Sequence, residues 1–271
     1  MKGTTFPSSL ICSVLIILSF HLVAFCIALE EEAGDETPFT YEKGTKGGPE
    51  NWGKINPQWQ LCNNGRLQSP IDLLDGGVRV YPALGKLKKY YKPAPAAVNP
   101  RGHDIAVTWK GDAGIIIING TVYKLMQCHW HSPSEHTFNG SRYNLELHAV
   151  HSSSDGKKAV ISVTYKYGRP DPFLAKMVPY IASLGKEEKD VGIVNPRDIK
   201  LSSRKYYRYL GSLTVPPCTE GVVWTVLAKV KTVSRDQVRV LKEAAQEGFE
   251  ENSRLTQNRD GRTVLFYTPR R

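Results

Sequence analysis

The sequence predicts an α+β chain, mainly β, forming a single domain around one large sheet with few helices on its surface. Three observations predict this. Segments with strand patterning outnumber helical ones, and only two stretches repeat their apolar residues at helical spacing. No internal repeat or low-complexity linker divides the chain after its first 38 residues. The remaining ~240 residues are a length that β-rich domains reach as one unit.

Taken in order, residues 1–28 carry one Lys, no Asp or Glu, and an apolar run from Leu10 to Ala28 that ends in Cys26-Ile27-Ala28. That composition reads as a secretory signal peptide cleaved after Ala28. An uncleaved anchor is the alternative, because the run is nearly long enough to span a bilayer. The absence of Arg disfavours a plastid transit peptide. No later stretch is apolar enough to cross a membrane, so no stable insertion is expected after cleavage. Residues 29–38, with their acidic cluster Glu30 to Glu36, read as a disordered tail, and residues 39–271 as the folded domain.

Within the domain, strands are expected at Ile105 to Trp109, Ile115 to Ile118, Val122 to His131, Tyr143 to His151, Ala159 to Tyr165 and Val222 to Lys231. Ser234 caps an expected helix over Arg235 to Gln246, with Val238, Leu241 and Ala245 at helical spacing and Gly248 beyond its end. A second helix is expected over Pro172 to Leu184.

The chain of 271 residues has a net charge of +10, which becomes +9 once the single Lys of residues 1–28 is removed. A basic balance raises nucleic acid as a partner. The cations are scattered, however, and the clusters Lys86-Lys88-Lys89 and Arg204-Lys205-Arg208 read as solvated strand and loop faces. No nucleic-acid partner is expected, and attraction to anionic wall or membrane material has no specific carrier in the sequence.

Five of the seven histidines fall between Leu125 and His151. In a strand, alternate side chains share a face, so Gln127, His129 and His131 point one way. If the run after Asn139-Gly140 pairs antiparallel with this strand, Glu146, His148 and Val150 share a face of it. His129, His131 and His148 then converge. Three neutral nitrogen ligands with a fourth position open is the donor set of a catalytic zinc site. His136 and His151 read as hydrogen-bonded core residues.

Beyond this cluster, His129-Trp130-His131, Ser134-Glu135-His136-Thr137, Glu146-Leu147-His148 and Gly211-Ser212-Leu213-Thr214-Val215-Pro216-Pro217 resemble the alpha-class carbonic anhydrases. So do Gly48-Pro49-Glu50-Asn51-Trp52, Gln68-Ser69-Pro70-Ile71-Asp72 and Gly102-His103-Asp104, and the likeness extends from about Phe39 to Tyr267. Cys218-Thr219-Glu220-Gly221 is most similar to the plant secretory-pathway members.

The resemblance implies a central twisted, mostly antiparallel sheet with short surface helices. It also implies one zinc per chain, held by His129, His131 and His148, and reversible hydration of carbon dioxide to bicarbonate and a proton by zinc-bound hydroxide. It gives Thr214 the role of orienting that hydroxide, with Glu135 accepting the Thr214 proton. His103 is implied as proton shuttle and Tyr41 as part of the proton network. Gln127, Glu146 and the Asn252 backbone are implied to support the ligands. Val150, Val160, Leu213, Val222 and Trp224, with Thr214 and Val215, are implied to line the substrate pocket. Val215 departs from the family pattern, since many members carry a second threonine there; the lost hydroxyl bears on rate or inhibitor affinity and leaves the zinc ligands intact.

Cys12 and Cys26 leave with the signal, so Cys62, Cys128 and Cys218 allow at most one disulfide. Cys128 lies on the strand face opposite the ligands and reads as a buried thiol. The resemblance likewise joins Cys62 to Cys218. Two glycosylation sequons begin at Asn119 and Asn139, both at Asn-Gly turn signals. The expected compartment is the secretory pathway, ending outside the cell or in the wall, with a plastid reached through that route as the alternative. Oligomeric state has no signature in the sequence. A storage or binding protein on the same fold is the competing reading, because fold does not fix function. A redox role in ascorbate recycling finds no support in a nucleotide-binding glycine motif.

Overall fold

The computed structural model describes residues 39–73 and 77–269, so the expected signal peptide and acidic tail lie outside the described residues. The strands are β1 Val78–Val80, β2 Lys88–Tyr91, β3 Ala94–Pro100, β4 Ile105–Trp109, β5 Gly114–Ile118, β6 Thr121–His131, β7 Thr137–Phe138 and β8 Ser141–Arg142. They continue as β9 Leu145–Ser152, β10 Lys158–Tyr167, β11 Lys189–Val194, β12 Tyr206–Ser212, β13 Glu220–Leu227, β14 Lys231–Val233 and β15 Val264–Tyr267. Four short α-helices accompany them among the described residues: α1 Trp52–Ile55, α2 Leu61–Asn64, α3 Pro172–Ile181 and α4 Arg235–Ala244.

One large mixed sheet runs in the order β1-β15-β12-β13-β10-β9-β6-β4-β3-β11, with β14 beside β10 and the β2–β5 pair joined through β6. Pairing is mostly antiparallel; β1 with β15, β10 with β13 and β10 with β14 are parallel. Asn119-Gly120 and Asn139-Gly140 form two-residue turns with positive φ at both positions, closing the β5–β6 and β7–β8 hairpins. Both sequon asparagines are exposed.

Several boundaries differ from the sequence reading. The expected strand Val222 to Lys231 is two strands, β13 and β14, broken at Ala228–Val230. Both parts run parallel beside β10, but only the first also pairs with β12. Helix α4 stops at Ala244, because Ala245 is already extended, and α3 stops at Ile181. At the start of α4, Ser234 and Gln237 cap each other reciprocally, as the Ser-x-x-Gln spacing favours.

The sheet separates two apolar layers. On one face lie Val98, Ile105, Cys128, Trp130, Leu145, Leu147, Ile161 and Val163 with the buried sides of α3 and α4. The other carries a smaller cluster that includes Val150, Val160, Leu213, Val222 and Trp224. Strand β6 feeds both layers through a bulge. Leu125 pairs with His151 but Gln127 pairs with Val150, so Met126 is the extra residue. The slip leaves Tyr123, Leu125, Cys128 and Trp130 on the helix-covered face and sends Gln127, His129 and His131 to the other.

His151 lies in the helix-covered layer. Its Nδ1–H donates to the Ala159 carbonyl at 3.2 Å, and its Nε2 accepts from the Tyr91 hydroxyl at 2.8 Å. Burial brings its pKa down from 6.5 to about 4. Between those values the unfolded chain binds a proton that the fold refuses, so stability falls as pH drops through that window and is flat below it. Unfolding free energy from urea titrations should lose roughly 2 kcal/mol from this group between pH 7 and 5. A Tyr91→Phe/His151→Leu variant should lack that component, and an unchanged pH slope would count against it.

Candidate metal and catalytic site

Strands β6 and β9 place His129 directly opposite His148 in the antiparallel register. His131, one pleat beyond His129, brings a third ring to the same face. One ring nitrogen of each of His129, His131 and His148 lies within 4.8 Å of the others, and all three residues are buried. The remaining ring nitrogens are held by acceptors. His129 Nδ1–H donates to Gln127 Oε1 at 2.9 Å, and His131 Nδ1–H to the Asn252 carbonyl at 2.7 Å. His148 Nε2–H donates to Glu146 Oε1 at 2.9 Å. These bonds fix the tautomers, so His129 Nε2, His131 Nε2 and His148 Nδ1 carry lone pairs. The donor chemistry fits zinc: three neutral nitrogens, each with its outer partner.

A second group, His136, Glu146 and His148, is equally compact. It is poorly suited to a metal because its atoms are committed elsewhere. Glu146 Oε2 accepts the backbone N–H groups of Glu135 and His136, each at 2.8 Å. Its Oε1 accepts from His136 Nδ1 at 2.6 Å, from His148 and from the Ser162 hydroxyl. Burial alone would raise the Glu146 pKa, but His136 and His148 override it and hold the carboxyl well below the ordinary range. His136 Nε2 accepts from the Tyr209 hydroxyl at 2.7 Å, and Tyr209 bonds the Ser69 hydroxyl at 2.9 Å. Gly211 permits this approach, since a Cβ there would collide with the Ser69 hydroxyl and the Tyr209 and Trp224 rings.

Glu135 is fully buried, and its Oε1 accepts from the Arg254 backbone N–H at 2.9 Å. Its Oε2 lies 3.6 Å from His131 Nε2 and 3.9 Å from His148 Nδ1. Burial pushes its pKa up to about 7, against the pull of His148 and of the Thr214 hydroxyl beside it. Thr214 itself is buried. The apolar wall is Val150, Val160, Leu213, Val222 and Trp224, in one cluster, with the Trp224 ring 4.8 Å from that of His148. Val215, expected in that wall, packs instead with Phe39, Tyr41, Trp52 and Trp59 beside the Cys62–Cys218 disulfide. The disulfide pins its segment to the N-terminal aromatic cluster.

Tyr41 lies in the same aromatic cluster, against Trp52 and Phe249. His103, which local sequence alone would leave in an exposed loop, is only 4% exposed. Its carbonyl accepts from Asn252 Nδ2 at 2.9 Å, and its ring lies 5.7 Å from that of Phe39.

Three further residues were not singled out by sequence reasoning. Asp104 is buried, bonded to Arg101, and its Oδ2 lies 3.5 Å from His103 Nε2 and 4.0 Å from His129 Nε2. Burial opposes its charge, but Arg101 and the two histidines hold its pKa well below normal. Arg254, also buried, donates to Gln68 Oε1 and the Ser69 carbonyl at 2.8 Å and to the Cys62 carbonyl at 2.7 Å. It thereby joins the Glu135 loop to the N-terminal segment. The third is Tyr209. The side-chain hydrogen-bond partners of Arg254 and Tyr209 are more than 60 positions away, so no local signal marks them.

A large mixed sheet carrying a buried three-histidine cluster beside an apolar wall defines a β fold with a site that could hold a metal ion. The chain belongs to the eukaryotic-type carbonic anhydrase family, which it matches over residues 47–268. It is 54% identical over 254 residues to alpha carbonic anhydrase 4 of Arabidopsis thaliana, covering 94% of each chain. Among solved structures it is similar to dioscorin complexed with ascorbate, with a TM-score of 0.84 and 43% identity, covering 86% of this chain and 99% of that one. The alpha-carbonic anhydrase of Thermovibrio ammonificans in complex with sulfanilamide superposes with a TM-score of 0.77 at 33% identity, over 84% of this chain and 99% of that one.

Proposed function

We propose that the protein catalyses the reversible hydration of carbon dioxide to bicarbonate and a proton, with one zinc held by His129, His131 and His148. The observation that carries this reading is the lone-pair convergence of three buried imidazoles whose outer nitrogens are each fixed by an acceptor. A bound zinc supplies Lewis acidity that makes water a nucleophile at neutral pH, a property for which carbonic anhydrases are themselves the reference case.

The chain's own residues do the rest. Glu135 takes the Thr214 hydroxyl proton in a hydrogen bond, which leaves Thr214 only its lone pairs to offer the attacking water. That water is thereby aimed at a carbon dioxide molecule lying against Val150, Val160, Leu213, Val222 and Trp224. The same wall excludes other water, as a small apolar substrate requires. His103 carries the released proton outward, since imidazole is the side chain that exchanges protons near neutrality. Asp104 and the Asn252 amide hold the His103 segment in place, and Tyr41 belongs to the same proton route. The disulfide and the exposed Asn119 and Asn139 turns support a secretory-pathway protein glycosylated at these asparagines.

A storage or binding role is the second reading, favoured by the likeness to dioscorin in its ascorbate complex. Stopped-flow hydration of carbon dioxide, measured beside zinc content, separates the two. Rapid hydration abolished by a chelator, with equimolar zinc, is the expected result. Full zinc occupancy without hydration would overturn the catalytic reading and leave the binding one.

A further inference from the structure

The fold brings together two basic clusters that are more than 100 positions apart in the sequence. Lys86 and Lys89 lie against the segment Lys200–Lys205 on the helix-covered face of the sheet, opposite the histidines. Three adjoining recesses surround this segment and share Ser202. The first, about 420 Å³, is lined by Lys89, Arg197, Lys200, Lys229 and Lys231. The second, about 380 Å³, has Lys86, Lys89 and Arg204, and the third, about 590 Å³, has Arg204, Lys205 and Lys229. Among the described residues, no Asp or Glu lines any of the three.

One of these cations is structural. Lys231 bonds Asp171 and the Ile199 carbonyl and lies over the Tyr165 ring. The other seven have no carboxylate within ion-pair distance among the described residues. Lys89 is half-buried, so it is desolvated without a counter-charge, an arrangement that a bound anion relieves. Lys200 sits at φ 54°, in the left-handed region where glycine would be less strained. The frame beneath is fixed. The Tyr206 hydroxyl donates to the Gly85 carbonyl at 2.9 Å, and the Ala228 N–H to the Lys205 carbonyl at 3.1 Å.

Seven like charges along three adjoining recesses repel one another and match a linear anion better than a single ion. Five of the seven are lysines, compact point charges that can each meet a separate anionic group. The lining tyrosines, Tyr91 and Tyr267, are buried and offer no open face for stacking bases. Ser202 and Ser203 add hydroxyls that suit sugar oxygens. The disulfide fits the secretory compartment proposed above, which lies away from nuclear and cytosolic nucleic acid.

We propose that the recessed basic face around Lys200–Lys205 binds a linear polyuronate, an anionic polysaccharide whose carboxylates seat against Lys89, Lys200, Arg204 and Lys229. The protein would then be held on an anionic matrix by one face of the sheet, with the histidine cluster on the other.

The test is equilibrium binding of the full chain to oligogalacturonate, to its methyl-esterified uncharged form, to single-stranded DNA and to phosphatidylserine vesicles, at several salt concentrations. Expected is salt-dependent binding to oligogalacturonate, absent for the ester and weaker for DNA and vesicles. Lys89→Gln/Lys200→Gly/Arg204→Gln/Lys229→Gln should weaken it by more than about tenfold. A control losing the same charge elsewhere, Lys46→Gln/Lys124→Gln/Lys166→Gln/Lys186→Gln, should weaken it by less than about threefold. Should the first quadruple variant fail to fold, Lys200→Gly alone relieves backbone strain and should still bind measurably more weakly. Equal losses in both quadruple variants would reduce the effect to net charge and overturn the site. Preference for DNA or vesicles, or no binding at low salt, would overturn the proposed ligand. All these readouts are independent of hydration, so they stand or fall apart from the catalytic reading.

Discussion

Glu146→Gln is expected to cost the protein both zinc affinity and stability, although the substitution changes one atom. The Glu146 carboxylate is saturated by five donors: two backbone N–H groups on one oxygen and His136, His148 and Ser162 on the other. A glutamine must turn its NH₂ toward one of these groups. If the NH₂ faces the histidines, His148 must accept through Nε2 and carry its proton on Nδ1, the nitrogen aimed at the cluster, which then cannot ligate. If it faces the backbone, it meets two N–H donors, and the loop holding Glu135 must shift. Either orientation leaves buried donors unsatisfied and removes a buried charge from its partners, a loss on the order of 3 kcal/mol. For a domain of this size that corresponds to roughly 6–12 °C in Tm of the metal-free protein. Zinc affinity, read by chelator competition at fixed pH, should fall by about 10–100-fold. An unchanged metal-free Tm together with unchanged affinity would show that the carboxylate is not what sets the His148 tautomer.

The core of this site was legible in the sequence because it is built from local rules. The period of two along β6 puts Gln127, His129 and His131 on one face, and an antiparallel neighbour puts His148 opposite them. The bulge at Met126, which moves that face to the side away from the helices, has no such signature, since nothing in Leu125-Met126-Gln127 marks an extra residue. Strand β3 went unread for a related reason: Pro95 and Pro100 argue against a strand, yet the segment pairs on both sides, with β4 and β11. Glu135 shows the limit most clearly. Read locally, it is a carboxylate beside a turn, and only the family resemblance marked it. Its fully buried setting comes from the Arg254 backbone 119 positions later. Asp104 was passed over beside the more conspicuous His103, and what distinguishes it is tertiary: complete burial, with Arg101 on one side and two imidazoles on the other. In the basic clusters the same limit works in reverse. Each looked like an ordinary solvated face until the fold set Lys86 and Lys89 against Arg204, while Arg208 turned inward to bond Thr225.

The Cys62→Ala/Cys218→Ala variant is expected to lose stability by about 4 kcal/mol and to lose turnover faster than it loses zinc. The bond joins residues 156 positions apart, so in the chain-entropy model it restricts a large part of the unfolded ensemble. That much loss lowers Tm by roughly 10 °C in a domain of this size. The functional consequence follows from where the bond sits. Cys218 closes the turn that begins at Leu213 through its N–H to the Val215 carbonyl at 2.9 Å, and Leu213 N–H donates to Thr219 at 2.9 Å. Between them lies Thr214, whose hydroxyl must stay beside Glu135. The three histidines, by contrast, rest on β6 and β9 in the middle of the sheet, and the Cys62 segment reaches them only indirectly, through Arg254. Loosening the turn should therefore leave near-equimolar zinc at moderate temperature while the hydration rate falls, with thermal unfolding, zinc content and stopped-flow hydration measured on the same preparation. Parallel loss of zinc and rate would instead mean that the turn and the histidine strands unfold together, and that the disulfide acts on the whole domain rather than on the placement of Thr214.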